Sequence, residues 1–175
     1  VITNQANIFK SAKERAIPAL AGKIDFPKSF VEMYEKEFGE IYESLPQQII
    51  HRDPNPGNII LCGDNWGVLD FDLSERNIRI FDPCYAATAI LSESFDADNT
   101  DKLNQWIRIY KNILYGYDEV VKLSDNEWKA IPYVVITNQL ISTAWFARQE
   151  KYAELYETNK KMTEWMLQNF EDMIF

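Results

Sequence analysis

The segment from His51 to Asp72 restricts the fold most, because it contains two short apolar runs on either side of a turn signal. Residues 58–61 and 66–71 are predicted to be strands, and the intervening Cys-Gly-Asp-Asn at 62–65 is typical of a hairpin turn. A hairpin this short returns the chain to its starting point. Polar residues just outside its two strands should therefore meet at one end.

The sequence before this hairpin has mainly helical periodicity. Residues 1–22 are predicted to be helical in part, with Pro18 and Gly22 ending that segment. In residues 28–45 apolar side chains recur every three or four positions, which predicts an amphipathic helix that stops at Pro46. A short strand is expected directly after it, leading into His51.

The sequence after the hairpin is predicted to be helical to its end. Asp82-Pro83 is a favourable helix start, with Asp82 as the cap and proline at the first helical position. Ser124 to Glu127 reads as a capping box, and Pro132 should kink the helix that it opens or end its first turn. One apolar stripe consists of Leu103, Trp106, Ile107, Tyr110, Ile113 and Leu114. The predicted fold class is mainly α with a small β-hairpin.

Three polar residues around the hairpin have the order that phosphoryl transfer requires. This chemistry needs a group that orients or deprotonates an acceptor hydroxyl, and oxygen ligands for the magnesium on the nucleotide. Asp53 can supply the first function, and Asn58 and Asp70 can supply the second. His51, the only histidine of the chain, lies two residues before Asp53.

These motifs resemble those of the aminoglycoside phosphotransferase and choline kinase-like superfamily. Its pattern is H-x-D-x-x-x-x-N, a hairpin, an apolar pair with Asp-Phe, and a later Asp that opens a helix. Here the pattern corresponds to residues 51–58, 68–71 and 79–82. The resemblance extends from about residue 30 to the C-terminus, and its specific part is 51–85.

The resemblance implies an ATP-dependent kinase that transfers a phosphoryl group to a small molecule. It implies that Asp53 is the catalytic base and that Asn58 and Asp70 hold Mg²⁺ and, through it, the nucleotide. Asp72 is a possible additional metal contact. The implied acceptor carries a hydroxyl group, as an aminoglycoside, a choline-like amine or a homoserine-like metabolite does.

Two further residues are expected to support this site. No serine or cysteine partner is evident for His51, so we expect it to brace the loop around Asp53. The resemblance adds that Asp82 holds the same loop in place. No G-x-G-x-x-G and no strand lysine precede residue 30. Residues 1–175 are therefore expected to form one domain, the C-terminal lobe of a protein-kinase-like fold without its N-terminal nucleotide-binding lobe.

Composition narrows the set of partners. The net charge of −9 argues against nucleic acid and anionic membranes, which bind basic surfaces, and suits a cationic acceptor. Cys62 and Cys84 lack the spacing of zinc or redox motifs, and two free thiols are typical of the cytoplasm. The apolar run at 131–147 is interrupted by polar residues and is not expected to span a membrane.

Other interpretations remain open. A kinase-like lobe without its partner could be an inactive binding or scaffold module. Asp70 and Asp72 also form the D-x-D of aspartyl-nucleophile phosphatases and of some glycosyltransferases, but the helical remainder lacks the other elements of those classes. Several tryptophans could form a cage for a quaternary amine, although their helical spacing favours the core: Trp106, Trp128, Trp145 and Trp165.

Overall fold

The computed structural model describes residues 7–175, which form eight α-helices and four short strands. The helices are α1 (Ile8–Ser11), α2 (Ile17–Leu20), α3 (Lys28–Met33), α4 (Gly39–Tyr42), α5 (Phe81–Ser94), α6 (Thr100–Val120), α7 (Asp125–Phe146) and α8 (Ala153–Gln168). The strands are β1 (Gln47–Ile50), β2 (Ile59–Cys62), β3 (Asn65–Val68) and β4 (Glu75–Ile78). The predicted class, mainly α with a small β part, is confirmed.

Helix pairs α1–α2 and α3–α4 are each joined by one π-helical turn, at Ala12–Ala16 and at Tyr34–Phe38. The predicted amphipathic segment 28–45 is thus helical up to Tyr42. In the N-terminal segment, residues 1–6 of the predicted 1–22 lie outside the described residues. Pro18 does not end the helix there, because it lies just after the π-helical turn and the helix continues to Leu20.

The strands form two separate antiparallel pairs. The predicted hairpin is β2–β3, which is shorter than expected at its open end, where Ile59 pairs with Val68, and one residue longer on each strand at the turn, where Cys62 pairs with Asn65. The second strand was predicted to reach Phe71 but ends at Val68. Strand β4, which the sequence did not predict, pairs with β1. In this pairing Gln47 lies opposite Ile78 at one end and Ile50 lies opposite Glu75 at the other.

Helix α7 lies at the centre of the core. Its turns are apolar on nearly every side, and Ile131, Val134 and Leu140 have no solvent exposure, as expected for a helix surrounded by others. It packs against α5, α8 and the N-terminal helices. Of the two predicted effects of Pro132, a kink or the end of the first turn, the second does not occur, because α7 continues through Pro132 to Phe146.

The capping box at Ser124 and Glu127 is confirmed. The tryptophans divide between two environments. Trp106 is buried, and Trp128 and Trp165 pack against the core, whereas Trp145 is 51% exposed. Within the described part of the chain, no helix has both the length and the hydropathy that crossing a bilayer demands.

Candidate active site

The loop that follows β1 is held by a carboxylate from the first turn of α5. Asp82 accepts hydrogen bonds from the backbone N–H of His51 at 2.7 Å and of Arg52 at 2.9 Å. Arg52 has a φ of 75°, a left-handed conformation that costs free energy for a residue other than glycine. The two bonds to Asp82 compensate for that cost and set the direction in which the chain enters Asp53.

This contact corrects the predicted role of Asp82 as a helix cap. Helix α5 begins at Phe81, and the residue in the cap position is Ile80. Burial raises the pKa of Asp82, although hydrogen bonds from the two loop amides act against the shift. The carboxylate therefore serves the distant loop rather than its own helix end.

Two asparagine side chains hold the Asp53 carboxylate. Asn55 donates from Nδ2 to Oδ1 of Asp53 at 2.9 Å, and Asn58 donates to Oδ2 at 3.3 Å and to the Asp53 carbonyl at 2.9 Å. Tyr85, on α5, lies close to Asp53; burial and the Asp53 carboxylate raise the pKa of Tyr85 to about 12. Asp53 is only partly buried, so its carboxylate is positioned yet accessible.

His51 connects the Asp53 loop to the chain that leaves the hairpin. Its Nε2 lies 2.6 Å from the carbonyl oxygen of Leu69, and its Nδ1 accepts a bond from the Asp53 N–H at 3.3 Å. This pattern corresponds to a neutral ring with its proton on Nε2. The ring also packs on Phe71, with centroids 4.6 Å apart. The His51 side chain therefore contacts both the Asp53 loop and the segment that follows the hairpin.

Asn58 and Asp70 lie at the open end of the hairpin. The Leu69 N–H donates to the Asn58 carbonyl at 2.9 Å, just beyond the last strand pair, and Asp70 is the next residue. Asp70 is exposed and has a φ of 59°. Asp72 is exposed in the turn that follows. Because Nδ2 of Asn58 is engaged by Asp53, Oδ1 is the atom that Asn58 can offer to a cation.

The donor set fits magnesium. Carboxylate and amide oxygens are its preferred protein ligands, and Mg²⁺ uses one or two carboxylates together with phosphate and water. Within residues 7–175 no three His, Cys, Asp or Glu side chains gather into a metal cage. Asn58 and Asp70 are the residues at the hairpin end that could hold such an ion.

An ion pair fixes the junction between β4 and α5 that carries Asp82. Arg79 donates to both carboxylate oxygens of Glu127, at 2.6 and 2.7 Å, and to the Lys122 carbonyl at 2.8 Å. Burial opposes ionisation of Glu127, but hydrogen bonds from Arg79 and Ser124 outweigh it and lower the pKa of Glu127. The start of α7 is thereby attached to the chain just ahead of Asp82.

Asp53 opens onto a cavity of about 600 Å³. Its wall is largely apolar and includes Phe81, Trp145 and Phe146. A smaller cavity of about 330 Å³ lies on the other side of Tyr85. A cavity of about 420 Å³ near Trp128 contains none of the predicted site residues.

Sequence reasoning missed three residues of this site: Asn55, Tyr85 and Asn138, the last of which lines both cavities beside Asp53. Tyr85 carries a detectable signal, because it lies three residues after Asp82 and so on the same face of α5. Asn138 also carries one, since it is an amide within an apolar helical run. Asn55 has no signal beyond its place in the loop.

The sequence matches the Phosphotransferase enzyme family (APH) over residues 12–118, more than half of the chain. The match begins before residue 30, where we expected the resemblance to start, and ends within α6. Comparisons with curated proteins and with solved structures give no significant match. The resemblance to aminoglycoside phosphotransferases and choline kinase-like proteins is confirmed, and the chain belongs to the phosphotransferase enzyme family.

Proposed function

We propose that this chain is the catalytic lobe of an ATP-dependent kinase that phosphorylates a hydroxyl group of a small molecule. The observation that supports this most is the placement of the Asp53 carboxylate, which two asparagines hold at the mouth of the 600 Å³ cavity. An acceptor in that cavity can direct its hydroxyl at Asp53. Positioning of this kind is the main protein contribution to phosphoryl transfer.

In the proposed reaction the acceptor oxygen forms a bond to the γ-phosphorus of ATP while the bond to the β–γ bridging oxygen breaks. The hydroxyl proton passes to Asp53, and ADP leaves. Asn58 and Asp70 would hold Mg²⁺, with Asp72 as a possible further contact. Bound Mg²⁺ supplies charge neutralisation on the phosphates. His51 and Asp82 keep the loop in the geometry that this proton transfer needs.

We further propose that a nucleotide-binding lobe packs against the β2–β3 hairpin and completes the site. Support comes from the apolar surface there: Leu61 is 77% exposed, Trp66 73% and Phe71 60%. Several exposed large apolar side chains in one region are typical of a contact surface. Without such a lobe the adenine and phosphates of ATP would lack a cover, since residues 1–175 contain no G-x-G-x-x-G loop.

The proposed acceptor is a hydroxyl-bearing small molecule such as an aminoglycoside, a choline-like amine or a homoserine-like metabolite. The net charge of −9 supports attraction of a cationic acceptor at long range. We place the enzyme in the cytoplasm, where ATP is abundant and where the free thiols of Cys62 and Cys84 would remain reduced.

The test is ADP formation by the full-length gene product with kanamycin, choline and homoserine as acceptors. Asp53→Asn should lower turnover by a factor on the order of 10² or more, because the neutral amide cannot take the hydroxyl proton. Asp64→Asn is the matched control, since Asp64 lies exposed in the hairpin turn. Near-normal turnover of the Asp53→Asn protein would refute the assignment.

Calorimetry with ATP and Mg²⁺ separates this proposal from an inactive scaffold. We expect residues 1–175 alone to fold and to bind the magnesium nucleotide very weakly. Each missing charge-assisted contact is worth about 1.5–3 kcal/mol, so losing several removes many powers of ten in affinity. Micromolar binding by these residues would contradict the need for a second lobe. No binding even by the full-length product would favour the scaffold.

A further inference from the structure

Helix α7 carries a buried amide that has no hydrogen-bond partner. Asn138 is 4% exposed, and neither its Nδ2 nor its Oδ1 is paired with any described residue. The next residue shows the usual arrangement: Gln139, 1% exposed, donates to the Asn159 carbonyl at 3.0 Å and to Thr143 Oγ1 at 3.1 Å. An unpaired buried amide destabilises the free protein. Asn138 therefore needs an explanation outside the packing of the core.

The position of Asn138 supplies one. It lies in the wall between the 600 Å³ cavity that contains Asp53 and the adjoining 330 Å³ cavity. Tyr85, Ser142 and Phe146 belong to the same wall, because each of them lines both cavities. Asp53 lines the larger cavity as well. The unpaired amide and the carboxylate that we assign as the base thus line the same cavity.

The cavity walls are poor in charge. Among the described residues that line the larger cavity, only Arg52 and Asp53 are charged, and Arg52 is engaged by Glu75 at 3.4 Å. Glu93 is the one charged residue lining the smaller cavity. The remaining walls are aromatic, aliphatic, amide or hydroxyl groups. The part of the acceptor that fills both cavities is therefore expected to be apolar and uncharged, and a cationic group of the acceptor would lie outside them.

We propose that Asn138 is a specificity-determining residue of the acceptor site, where it pairs with a neutral carboxamide or hydroxyl group of the acceptor. A side-chain amide offers both a donor and an acceptor. Only a group that both accepts and donates can satisfy it; an ammonium has no acceptor and a carboxylate has no donor. This inference rests on the proposed phosphotransferase function, with the reacting hydroxyl at Asp53.

Access to the amide requires a side-chain movement. Both polar atoms of Asn138 are closed off in the free protein, so the ligand reaches them when Tyr85 or Phe146 rotates. Rotamer changes of this size are common at binding sites. Because each of these two rings lines both cavities, rotation of either one would join them.

The test compares three probes that share a hydroxymethyl-benzene body and differ in the opposite substituent. They are 4-(hydroxymethyl)benzamide, 4-methylbenzyl alcohol and 4-(hydroxymethyl)benzylamine, each titrated into the ¹⁵N-labelled chain and followed by NMR. We expect the amide probe to bind about tenfold more tightly than the other two, because it gains about one net hydrogen bond to Asn138. Shifts should include the indole N–H of Trp145, which lines the larger cavity.

Asn138→Leu should abolish this preference while retaining binding of 4-methylbenzyl alcohol. Asn104→Leu, the same substitution at an exposed position of α6, is the control and should keep it. Three results would each overturn the proposal. They are equal affinities of the three probes for the wild-type chain, no binding of any probe at about 10 mM, and an unchanged preference in Asn138→Leu.

Thermal unfolding gives a second readout that needs no ligand. Asn138→Leu should raise the unfolding midpoint because it removes an unpaired amide, whereas Gln139→Leu should lower it because it removes the donor to Asn159 Oδ1 inside the core. A lower midpoint for Asn138→Leu would show that Asn138 supports the core and would remove the inference. The probe titrations use no nucleotide, so their failure leaves the proposed phosphotransfer standing, and a negative Asp53→Asn result leaves probe binding standing.

Discussion

Glu127→Gln should destabilise the protein more than any change at an exposed acid. Glu127 has no solvent exposure, and its two oxygens accept from Arg79 while one of them also accepts from the N–H and hydroxyl of Ser124. The variant keeps the shape of the side chain but replaces one oxygen with an NH₂ group. That group faces an arginine donor, so one of the two bonds to Arg79 is lost and the guanidinium loses its counter-charge.

The magnitude follows from the environment of the partner. Removing one member of a fully buried ion pair costs about 3–5 kcal/mol. The Arg79 side chain is 20% exposed and keeps its bond to the Lys122 carbonyl, so water and that carbonyl recover part of the loss. We therefore expect Glu127→Gln to cost about 2–3 kcal/mol, below the full penalty of a buried pair. For a chain of this length that corresponds to a fall of about 4–12 °C in the unfolding midpoint.

Urea unfolding followed by circular dichroism measures this change. Glu119→Gln is the control, because Glu119 is exposed on α6 and surface substitutions of this type stay within about 0.5 kcal/mol. The midpoint should fall for Glu127→Gln with an unchanged slope. A free energy of unfolding within error of wild type would show that the pair contributes nothing net, and the argument that it fixes the β4–α5 junction would fail.

Two further outcomes follow from the carboxylates of this region. The folded-state pKa of Glu127 lies below its usual value of 4.5. Its ionised form therefore contributes fully to the free energy of unfolding above pH 4.5, and this contribution is lost as the pH falls through the lowered pKa. In acid titrations of unfolding, the stability difference between wild type and Glu127→Gln should shrink over that range. Asp82→Asn should lower turnover of the full-length product about tenfold or more while the helical circular dichroism signal persists, since one loop amide loses its acceptor; unchanged turnover would contradict a positioning role for Asp82.

Local patterns predicted the elements whose stability is local. The apolar stripe of α6 recurs at helical spacing and is buried at Leu103, Trp106, Tyr110 and Leu114. The capping box of α7 and the β2–β3 hairpin depend on residues a few positions apart. In each of these cases the partners that satisfy a residue lie within one turn or one hairpin of it, so a short window of sequence contains the whole interaction.

Strand β4 could not be predicted in this way. Its sequence, Glu-Arg-Asn-Ile, is polar and has low strand propensity. It becomes a strand because β1, about thirty residues earlier in the chain, supplies its hydrogen bonds, as between Ile50 and Glu75. Glu75 is buried against Asn77, which donates to it at 2.9 Å, and against the Arg52 guanidinium. Tertiary partners outweighed local propensity there.

Asp82 illustrates why the candidate site was predicted only in part. An Asp-Pro pair is the same local signal whether the carboxylate caps its own helix or binds a loop that lies beside it. Only the position of the chain at His51 and Arg52 decides between the two, and that position depends on the β1–β4 pairing and on the ion pair of Arg79 with Glu127.

A connected set of polar contacts therefore links the core to the proposed base. Glu127, at the start of α7, binds Arg79, which lies two residues before α5. Asp82, in the first turn of α5, accepts a hydrogen bond from the N–H of Arg52. Asp53 is the next residue. Each contact orients a backbone segment rather than a ligand. The bond to Asp82 at the far end of this set helps to hold Arg52 in its left-handed conformation. The geometry of Asp53 thus depends on residues that do not contact it, and the motif at 51–58 adopts this arrangement through contacts with the surrounding helices.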